Sequence, residues 1–232
     1  MKKNTLFASL FIGAAYLISC DSSEIGESKD VNQDKIYMDY LISHNEGDED
    51  VNITCQFRFA GNKGTTLVLS GESRVELDGE KLMVDSNEVE GAFYGITKPV
   101  SSFYGKHIIS FTNSLGKKFE NAFTFSPFAI KDPLAEISRK KGLRITYLSA
   151  PFTPADYTEV SSTDTDSSLH YYQNYPDTAI VIPAKDLQRQ KVSSLSLDCR
   201  LFRGVNLQQS TPEGGQIRIR QNLKPLKIKL QP

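Results

Sequence analysis

The chain has 232 residues, with 27 lysines and arginines against 28 aspartates and glutamates, which gives a formal net charge of -1. Hydrophobic residues make up 39% of the chain, and tryptophan is absent. This composition is typical of a globular protein and excludes a largely disordered chain, a collagen and a polytopic membrane protein. The near-neutral balance of charge offers no electrostatic basis for binding nucleic acid.

The N-terminus has the pattern of a secretory signal. Lys2 and Lys3 precede a nearly unbroken apolar run from Leu6 to Ile18. A membrane-spanning helix needs roughly 20 apolar residues, so this run is too short to span a bilayer. A charged start followed by a short apolar run predicts a segment that directs export and is then removed.

The apolar run ends in the tetrapeptide Leu17-Ile18-Ser19-Cys20, which resembles the lipobox of bacterial lipoproteins. The resemblance covers residues 1–20, with residues 1–19 as the signal peptide. It implies cleavage after Ser19 and a diacylglycerol on the thiol of Cys20, so membrane lipid is the first expected partner. Several acyl chains would give durable anchoring in the cell envelope, with the outer membrane of a diderm bacterium as the expected place. An ordinary signal peptide with a chance cysteine is the alternative.

Residues 20–35 are predicted to be a lipidated acidic tether. From Asp21 to Lys35 the chain holds five acidic residues, two lysines and no aromatic residue, with Ile25 and Val31 as its only aliphatic ones. Such a segment buries too little apolar surface to offset the entropy lost on folding, so we expect a flexible, solvated spacer. As flexible coil it would span about 20 Å on average.

Alternating apolar and polar residues predict a first β-sandwich domain over residues 36–128. The clearest strand runs from Val51 to Phe59, where every odd-numbered residue is apolar, so Cys55 is expected to point into a core. A later hairpin is predicted from Lys106–Thr112 and Lys117–Phe125, whose intervening residues favour a turn.

The dipeptide Asp78-Gly79 lies between two alternating segments and predicts a tight hairpin turn. A two-residue loop at this place pairs Leu77 with Glu80. It also sets Glu76 opposite Lys81, which is a favourable cross-strand pair on the solvated face.

A short helix is predicted between two domains. Asp132 suits a helix cap and Gly142 suits a helix exit, which predicts a helix over Pro133–Lys141 inside a connector at residues 129–142. Further alternating segments predict a second β-sandwich domain over residues 143–232. The predicted fold class is therefore all-β, with two tandem immunoglobulin-like β-sandwich domains.

Two cysteines remain once Cys20 is assigned to lipid. Cys55 and Cys199 both fall on the apolar side of alternating segments, 144 positions apart. We expect each to be a small buried hydrophobic residue, unlinked to the other. A disulfide is the alternative, since exported proteins favour one.

The second domain is predicted to carry a long, tyrosine-rich loop over residues 151–177. Amphipathic aromatic side chains on a loop suit recognition, because they bury a large area at low entropic cost. We expect this loop, rather than either sheet, to recognise any ligand, although the tyrosines would otherwise serve to cover a core. The candidate binding residues are Tyr157, His170, Tyr171, Tyr172 and Tyr175. A glycan platform elsewhere would use Phe93, Tyr94, Phe103 and Tyr104.

Signals of catalysis and metal binding are weak. The acidic segments at residues 44–50 and 164–166 offer oxygen ligands for calcium but lack the loop pattern of an EF-hand. The chain has no nucleophile elbow, no zinc-protease motif and no phosphate-binding loop. His170 lies near Ser167 and Ser168, but proximity in sequence is not the geometry of a catalytic triad. We therefore predict no catalytic residue, no metal and no cofactor.

The last strands carry a row of basic residues. Arg218 and Arg220 alternate with isoleucines, and Lys227 and Lys229 alternate with other aliphatic residues. The simpler interpretation is the solvated side of strands, where lysine discourages edge-to-edge aggregation. The alternative is contact with anionic lipid headgroups or with phosphates of surface polysaccharides.

These observations predict a membrane-anchored lipoprotein of the cell envelope that acts as a non-catalytic binding or assembly module and not as an enzyme. An envelope protein or a glycan is the expected partner beside membrane lipid. One alternative is a surface glycan-binding or adhesion protein that uses the tyrosine-rich loop. Another is a hydrolase whose site has no recognised motif.

Overall fold

The computed structural model describes residues 24–132, 135–162, 169–174, 177 and 179–232. The predicted signal peptide, the lipobox and Cys20 lie outside these residues. Strands dominate the described chain and helices are few, so the predicted all-β class is confirmed. Within the described ranges, no helix has the length and apolar character needed to cross a membrane.

The first half of the chain packs two sheets face to face. Alternation along its strands sends one set of side chains inward, and Phe57 from one sheet meets Phe111 from the other with ring centroids 4.5 Å apart. A helical turn, α1 (Val100–Phe103), joins two of the strands. The strands are β1 (Ile25–Glu27), β2 (Ile36–Asn45), β3 (Asp50–Phe59), β4 (Thr66–Val68), β5 (Arg74–Leu77), β6 (Glu80–Lys81), β7 (Met83–Asn87), β8 (Gly91–Pro99), β9 (Gly105–Thr112) and β10 (Lys118–Phe125).

Both predicted hairpins of the first half are confirmed, and the one at Asp78-Gly79 has its predicted register. Leu77 lies opposite Glu80 and Glu76 opposite Lys81. The turn residues Asp78 and Gly79 have φ values of 50° and 86°, the left-handed conformation that a two-residue hairpin loop requires. Strands β9 and β10 form the later hairpin over their whole length.

The second half builds a second core in the same way. A short sheet of β11, β13 and β16 covers the buried side of β14, β17 and β19. A short helix, α2 (Ala184–Gln188), inserts Leu187 into this core. The strands are β11 (Ala129–Ile130), β12 (Glu136–Ser138), β13 (Leu143–Leu148), β14 (Tyr157–Ser162), β15 (His170–Asn174), β16 (Ala179–Ile182), β17 (Ser194–Val205), β18 (Gly215–Asn222) and β19 (Leu226–Gln231).

The two halves share one sheet. β18 pairs with β17 on one side and, in parallel, with β2 on the other, in a register that runs from Gly215 opposite Met38 to Asn222 opposite Asn45. The result is a 12-stranded sheet among the described residues, whose main path runs β1-β4-β3-β2-β18-β17-β14-β15. Ile217 and Ile219 of β18 pack in the first core, although the sequence division at residue 143 places them in the second domain.

The predicted connector helix is wrong in its described part. Glu136–Ser138 is a strand, β12, which pairs in parallel with β19. The Arg139 guanidinium donates to the backbone oxygens of Gln190 and Val192, which fixes the following turn to the second core. Tertiary pairing therefore overrides the helix signals of the flanking residues.

The predicted flexible tether is also wrong from residue 24 onwards. Ile25 pairs with Thr66 in a parallel ladder, and the backbone then makes two short 3-10 turns. Ser28 is fully buried, where its hydroxyl accepts the Ser70 N–H at 2.9 Å. Gln33 donates to the Ser28 carbonyl at 2.6 Å. Polar side chains hold this segment to the body through hydrogen bonds, a mode that a count of apolar residues does not detect.

The predicted burial of both cysteines is confirmed. Cys55 lies in the first core and Cys199 in the second, each with no exposed surface and each unlinked in the structure. Burial raises the pKa of the Cys199 thiol to about 11 and that of Cys55 further. Both groups therefore behave as inert apolar side chains at neutral pH.

The shared sheet predicts that Ile219→Ala weakens the first core rather than the second. Removing this buried side chain should lower the free energy of unfolding by about 2–5 kcal/mol in urea titrations. Amide hydrogen exchange should speed up most in β2 and β3. The matched control is Ile180→Ala in the second core, which should instead speed up amide hydrogen exchange most in β13 and β16. Loss of protection at β13 in the Ile219 variant, with β2 unchanged, would contradict the shared sheet.

Candidate functional site

The outward side of the large sheet is one continuous face that extends over both halves of the chain. Strict alternation in β2, β3, β14, β17 and β18 buries one side of each strand and leaves the other side open. We call this open side the platform. Its central members are Asp39, Leu41, Ser43, Thr54, Gln56, Phe93, Tyr157, Glu159, His170, Tyr172, Arg200, Phe202, Gly204, Arg218 and Arg220.

Aromatic rings gather at one end of the platform. Tyr157 lies opposite Phe202 on the neighbouring strand, and the two rings stack with centroids 4.6 Å apart and an interplanar angle of 11°. Tyr172 meets Tyr157 edge-on at 6.3 Å, and the His170 ring lies 4.4 Å from Tyr172. Adjacent strands bring these rings together and hold them in register, so they form a fixed apolar surface.

The segment at residues 151–177, predicted to be a loop, contains two paired strands. β14 and β15 lie within it and pair with each other, and β14 also pairs with β17. Alternation then separates the predicted binding residues. Tyr157, His170 and Tyr172 share the platform, Tyr171 points to the opposite side, and Tyr175 lies outside the described residues.

Tyr171 is part of the structural framework. It packs against the second core, and its hydroxyl donates to Oδ2 of Asp186 at 2.6 Å. Burial first, and the Asp186 carboxylate second, raise the pKa of Tyr171 to about 12. The hydroxyl therefore stays protonated and joins β15 to helix α2.

Glu159 organises the polar rim of the aromatic cluster. Its Oε1 lies 2.8 Å from Nε2 of His170 and 3.7 Å from Nη1 of Arg200. Burial, aided by the nearby Glu159 carboxylate, raises the pKa of Tyr157. The Tyr157 hydroxyl is thus protonated at neutral pH and able to donate a hydrogen bond at the surface.

A cleft of about 190 Å³ opens beside the stacked rings, and we call it the central cleft. Gly204 helps to keep its floor open, since a Cβ atom there would lie 3.0 Å from the Cβ of Ala155. Its lining comprises Leu41, Ala155, Tyr157, Phe202, Arg203, Gly204, Arg218, Ile219 and Arg220.

A second cleft of about 290 Å³ adjoins the central cleft and shares Leu41 and Arg218 with it. Thr54 and Gln56 from β3 and the ring of Phe93 from β8 lie along it. The two clefts together therefore follow the platform from the second half of the chain into the first.

Of the four residues predicted for an alternative glycan platform, only Phe93 lies on this face. Tyr94 and Phe103 are buried in the first core, where the Tyr94 hydroxyl accepts the Leu69 N–H at 2.7 Å. Tyr104 is exposed away from the platform, with its ring against Phe125. Sequence spacing alone did not separate the outward ring from the inward ones.

Ion pairs fix two of the three arginines in the central cleft. Nη2 of Arg218 donates to both oxygens of Asp39, at 2.9 and 2.8 Å. Arg203 pairs with the buried Asp156, Nε to Oδ2 at 3.2 Å. The Arg218 contact positions a planar group with donors at the edge of the cleft, whereas the Arg203 side chain lies largely buried beneath it.

Phe202 and Leu41 were not among the residues predicted from sequence to bind a ligand. A usable signal exists for Phe202, because it follows Leu201 and so breaks the alternation of β17 with an apolar residue on the polar side. Leu41 gives the same signal on β2, between Tyr40 and Ile42. An apolar residue on the solvated side of a strand is a candidate contact.

Several residues considered for calcium binding or for a catalytic triad lie outside the described residues. Asp164–Asp166, Ser167 and Ser168 are not described. In the acidic turn after β2, Nδ2 of Asn45 donates to Oδ2 of Asp48 at 2.8 Å. No group of three or more potential metal-binding side chains occurs in the part of the chain that the structure describes.

Comparison with known proteins gives little further information. No family model matches the chain, and no curated protein matches it. Among solved structures, it is similar to SGBP-B of the Bacteroides ovatus mixed-linkage glucan utilization locus, which was solved with a mixed-linkage heptasaccharide. The identity is 9% and the TM-score 0.21, with 85% of this chain and 61% of the other covered. This chain thus spans less than two thirds of that protein.

The opposite placement of two neighbouring tyrosines yields a prediction. Tyr171→Phe removes the hydrogen bond to Asp186 and should lower the free energy of unfolding by about 0.5–1.5 kcal/mol. Tyr172→Ala removes an exposed ring and should change stability by about 0.5 kcal/mol or less. Urea unfolding of both variants measures the difference. An equal loss of stability in the two variants would contradict the placement of Tyr172 on the open face.

Proposed function

We propose that this chain is a non-catalytic glycan-binding module of the cell envelope and that the platform is its binding surface. The observation that carries the proposal is the flat stack of Tyr157 and Phe202 beside a shallow cleft edged by planar polar groups. The weak similarity to a solved glycan-binding protein adds no weight to it. The tyrosine-rich segment remains part of the site, with the sheet rather than a loop as its support.

The chemistry of the platform suits a sugar chain. A sugar ring has apolar C–H faces and hydroxyls at its edges. Aromatic rings have electron-rich faces that attract the C–H groups, while Arg218 and the Tyr157 hydroxyl supply hydrogen bonds at the margin. Because Tyr157 and Phe202 hold each other in place, little side-chain entropy is lost when a ring stacks on them.

The shape of the platform suits an extended ligand. The two clefts run from β14 to β3 along five neighbouring strands. At a spacing of about 4.8 Å between strands, that path measures about 19 Å. A groove of this length has room for several sugar units in a row.

The arrangement of carboxylates supports binding rather than hydrolysis. Asp39 is held by Arg218 and by Gln216, and Glu159 by His170 and Arg200. Most glycoside hydrolases use two carboxyl groups that flank one bond, with one of them as a proton donor. Asp39 and Glu159 are instead held in ion pairs, an arrangement that suits them to positioning the neighbouring arginines.

The proposal includes an architecture of two immunoglobulin-like β-sandwiches joined through one sheet. Its support is the presence of two separate hydrophobic cores, each between a part of the large sheet and a smaller sheet.

The proposal also includes a lipid anchor on Cys20, which rests on the lipobox pattern. β1 begins five residues after Cys20, so the body would lie close to the membrane surface.

Loss of a platform ring should weaken glycan binding without unfolding the protein. Phe202→Ala is expected to reduce the affinity by about 1–3 kcal/mol for the best oligosaccharide found on a glycan array, measured by isothermal titration. Tyr104→Ala, which removes an exposed ring outside the platform, is the control and should bind normally. The proposal fails if no glycan on the array binds, or if the Phe202 variant folds and binds with unchanged affinity.

The lipid anchor is tested in cells that express the whole chain. Cys20→Ser should abolish labelling by a fatty-acid probe and release the protein from the membrane fraction, because the thiol is the acylated group. Cys199→Ala, which changes a buried cysteine in the second core, should keep both properties. A Cys20 variant that still carries the label would show that the anchor is elsewhere.

A further inference from the structure

We propose that the central cleft selects acidic glycans, and that Arg220 binds the carboxylate of a uronate unit whose ring stacks on Phe202. This inference rests on the proposed function and adds the class of sugar. The simpler interpretation of the basic row, in which Arg218 and Arg220 form only the solvated side of a strand, is compatible with the fold but gives the cleft no ligand.

Arg220 occupies the centre of the platform. It lies directly opposite Phe202 on one neighbouring strand and Ser43 on the other. Tyr157 follows Phe202 in the same cross-strand row. Side chains at directly opposite positions have Cβ atoms about 5 Å apart, so one sugar unit can contact the stacked rings and the guanidinium together.

The side chain of Arg220 is available for a ligand. It is exposed and lines the central cleft. Among the described residues it has no ion-pair or hydrogen-bond partner, in contrast to Arg218, which is held by Asp39, and Arg203, which is held by Asp156. An arginine that is free beside a stacked aromatic pair favours a planar anion, since its donors match a carboxylate in bidentate geometry.

The charge balance of the cleft points the same way. Three arginines and no carboxylate line it. Asp39 and Asp156 neutralise two of the three positive charges from beside and beneath the cleft. The remaining charge belongs to Arg220, so a neutral sugar would leave this cation unpaired and an acidic one would neutralise it.

The test compares each acidic oligosaccharide with a neutral counterpart of the same length and linkage, which we call its reduced twin. Oligomers of galacturonate, glucuronate and mannuronate are titrated into the protein beside their carboxyl-reduced forms. At least one acidic oligomer should bind about tenfold more tightly than its reduced twin, the size expected for a charged hydrogen-bonded pair. Higher salt should narrow this difference, because the cleft is open to solvent.

Two variants assign the preference to one residue. Arg220→Gln should lower the affinity for the acidic oligomer about tenfold and leave that for its reduced twin nearly unchanged. Lys106→Gln makes the same change of charge on β9, in the opposite sheet, and should keep the preference. Circular dichroism of both variants confirms that they are folded.

The outcomes separate this inference from the proposed function. Equal binding of acidic and reduced oligomers, or an acidic preference that persists in Arg220→Gln, overturns the inference and leaves a glycan-binding platform. Binding of sulfated sugars alone overturns the choice of carboxylate. If acidic oligomers, reduced oligomers and a wider glycan array all fail to bind, the proposed function itself is wrong.

Discussion

The parallel pairing of β18 with β2 unites the two halves of the chain in one sheet. It joins residues 177 positions apart, such as Gly215 and Met38. Through it, Ile217 and Ile219 complete the first core while β17, on the other side of β18, belongs mainly to the second. Without this ladder, β2 would present an open edge and the two halves would no longer share a sheet.

The same pairing creates the candidate site. Arg218 from the C-terminal half meets Asp39 from the N-terminal half at the line where β18 and β2 join. Both clefts share Arg218 and Leu41, so the surface between the halves is also the middle of the platform. A rigid sheet holds these groups in register, which limits the entropy that a bound ligand would have to offset.

The platform combines an apolar row with a charge pattern that is nearly balanced. Most of its arginines have a carboxylate beside them, which keeps them oriented and lowers their attraction for anions in general. Arg220 departs from this pattern next to Phe202. Selectivity in such a site depends on a single uncompensated charge beside a flat ring rather than on a strongly basic surface.

Local features of the fold can be predicted from the amino-acid pattern. Period-two alternation decided which side of β3 and β17 is buried, and hence the burial of both cysteines. The Asp78-Gly79 turn determined the register of its hairpin, because few residues adopt the left-handed conformation there. These features depend on neighbours in the chain, so they can be predicted from it.

The pairing of the strands, by contrast, depends on tertiary contacts that the amino-acid pattern does not reveal. Alternation assigns a side chain to a face, but it carries no information on the partner of a strand, so the place of β18 could not be predicted. Pairing with β19 made a strand of Glu136–Ser138 against its helix signals, and buried hydrogen bonds ordered the expected tether. Strand register then separated Tyr171 from Tyr172 and brought Tyr157 onto Phe202, because contacts across strands are set by pairing rather than by distance along the chain.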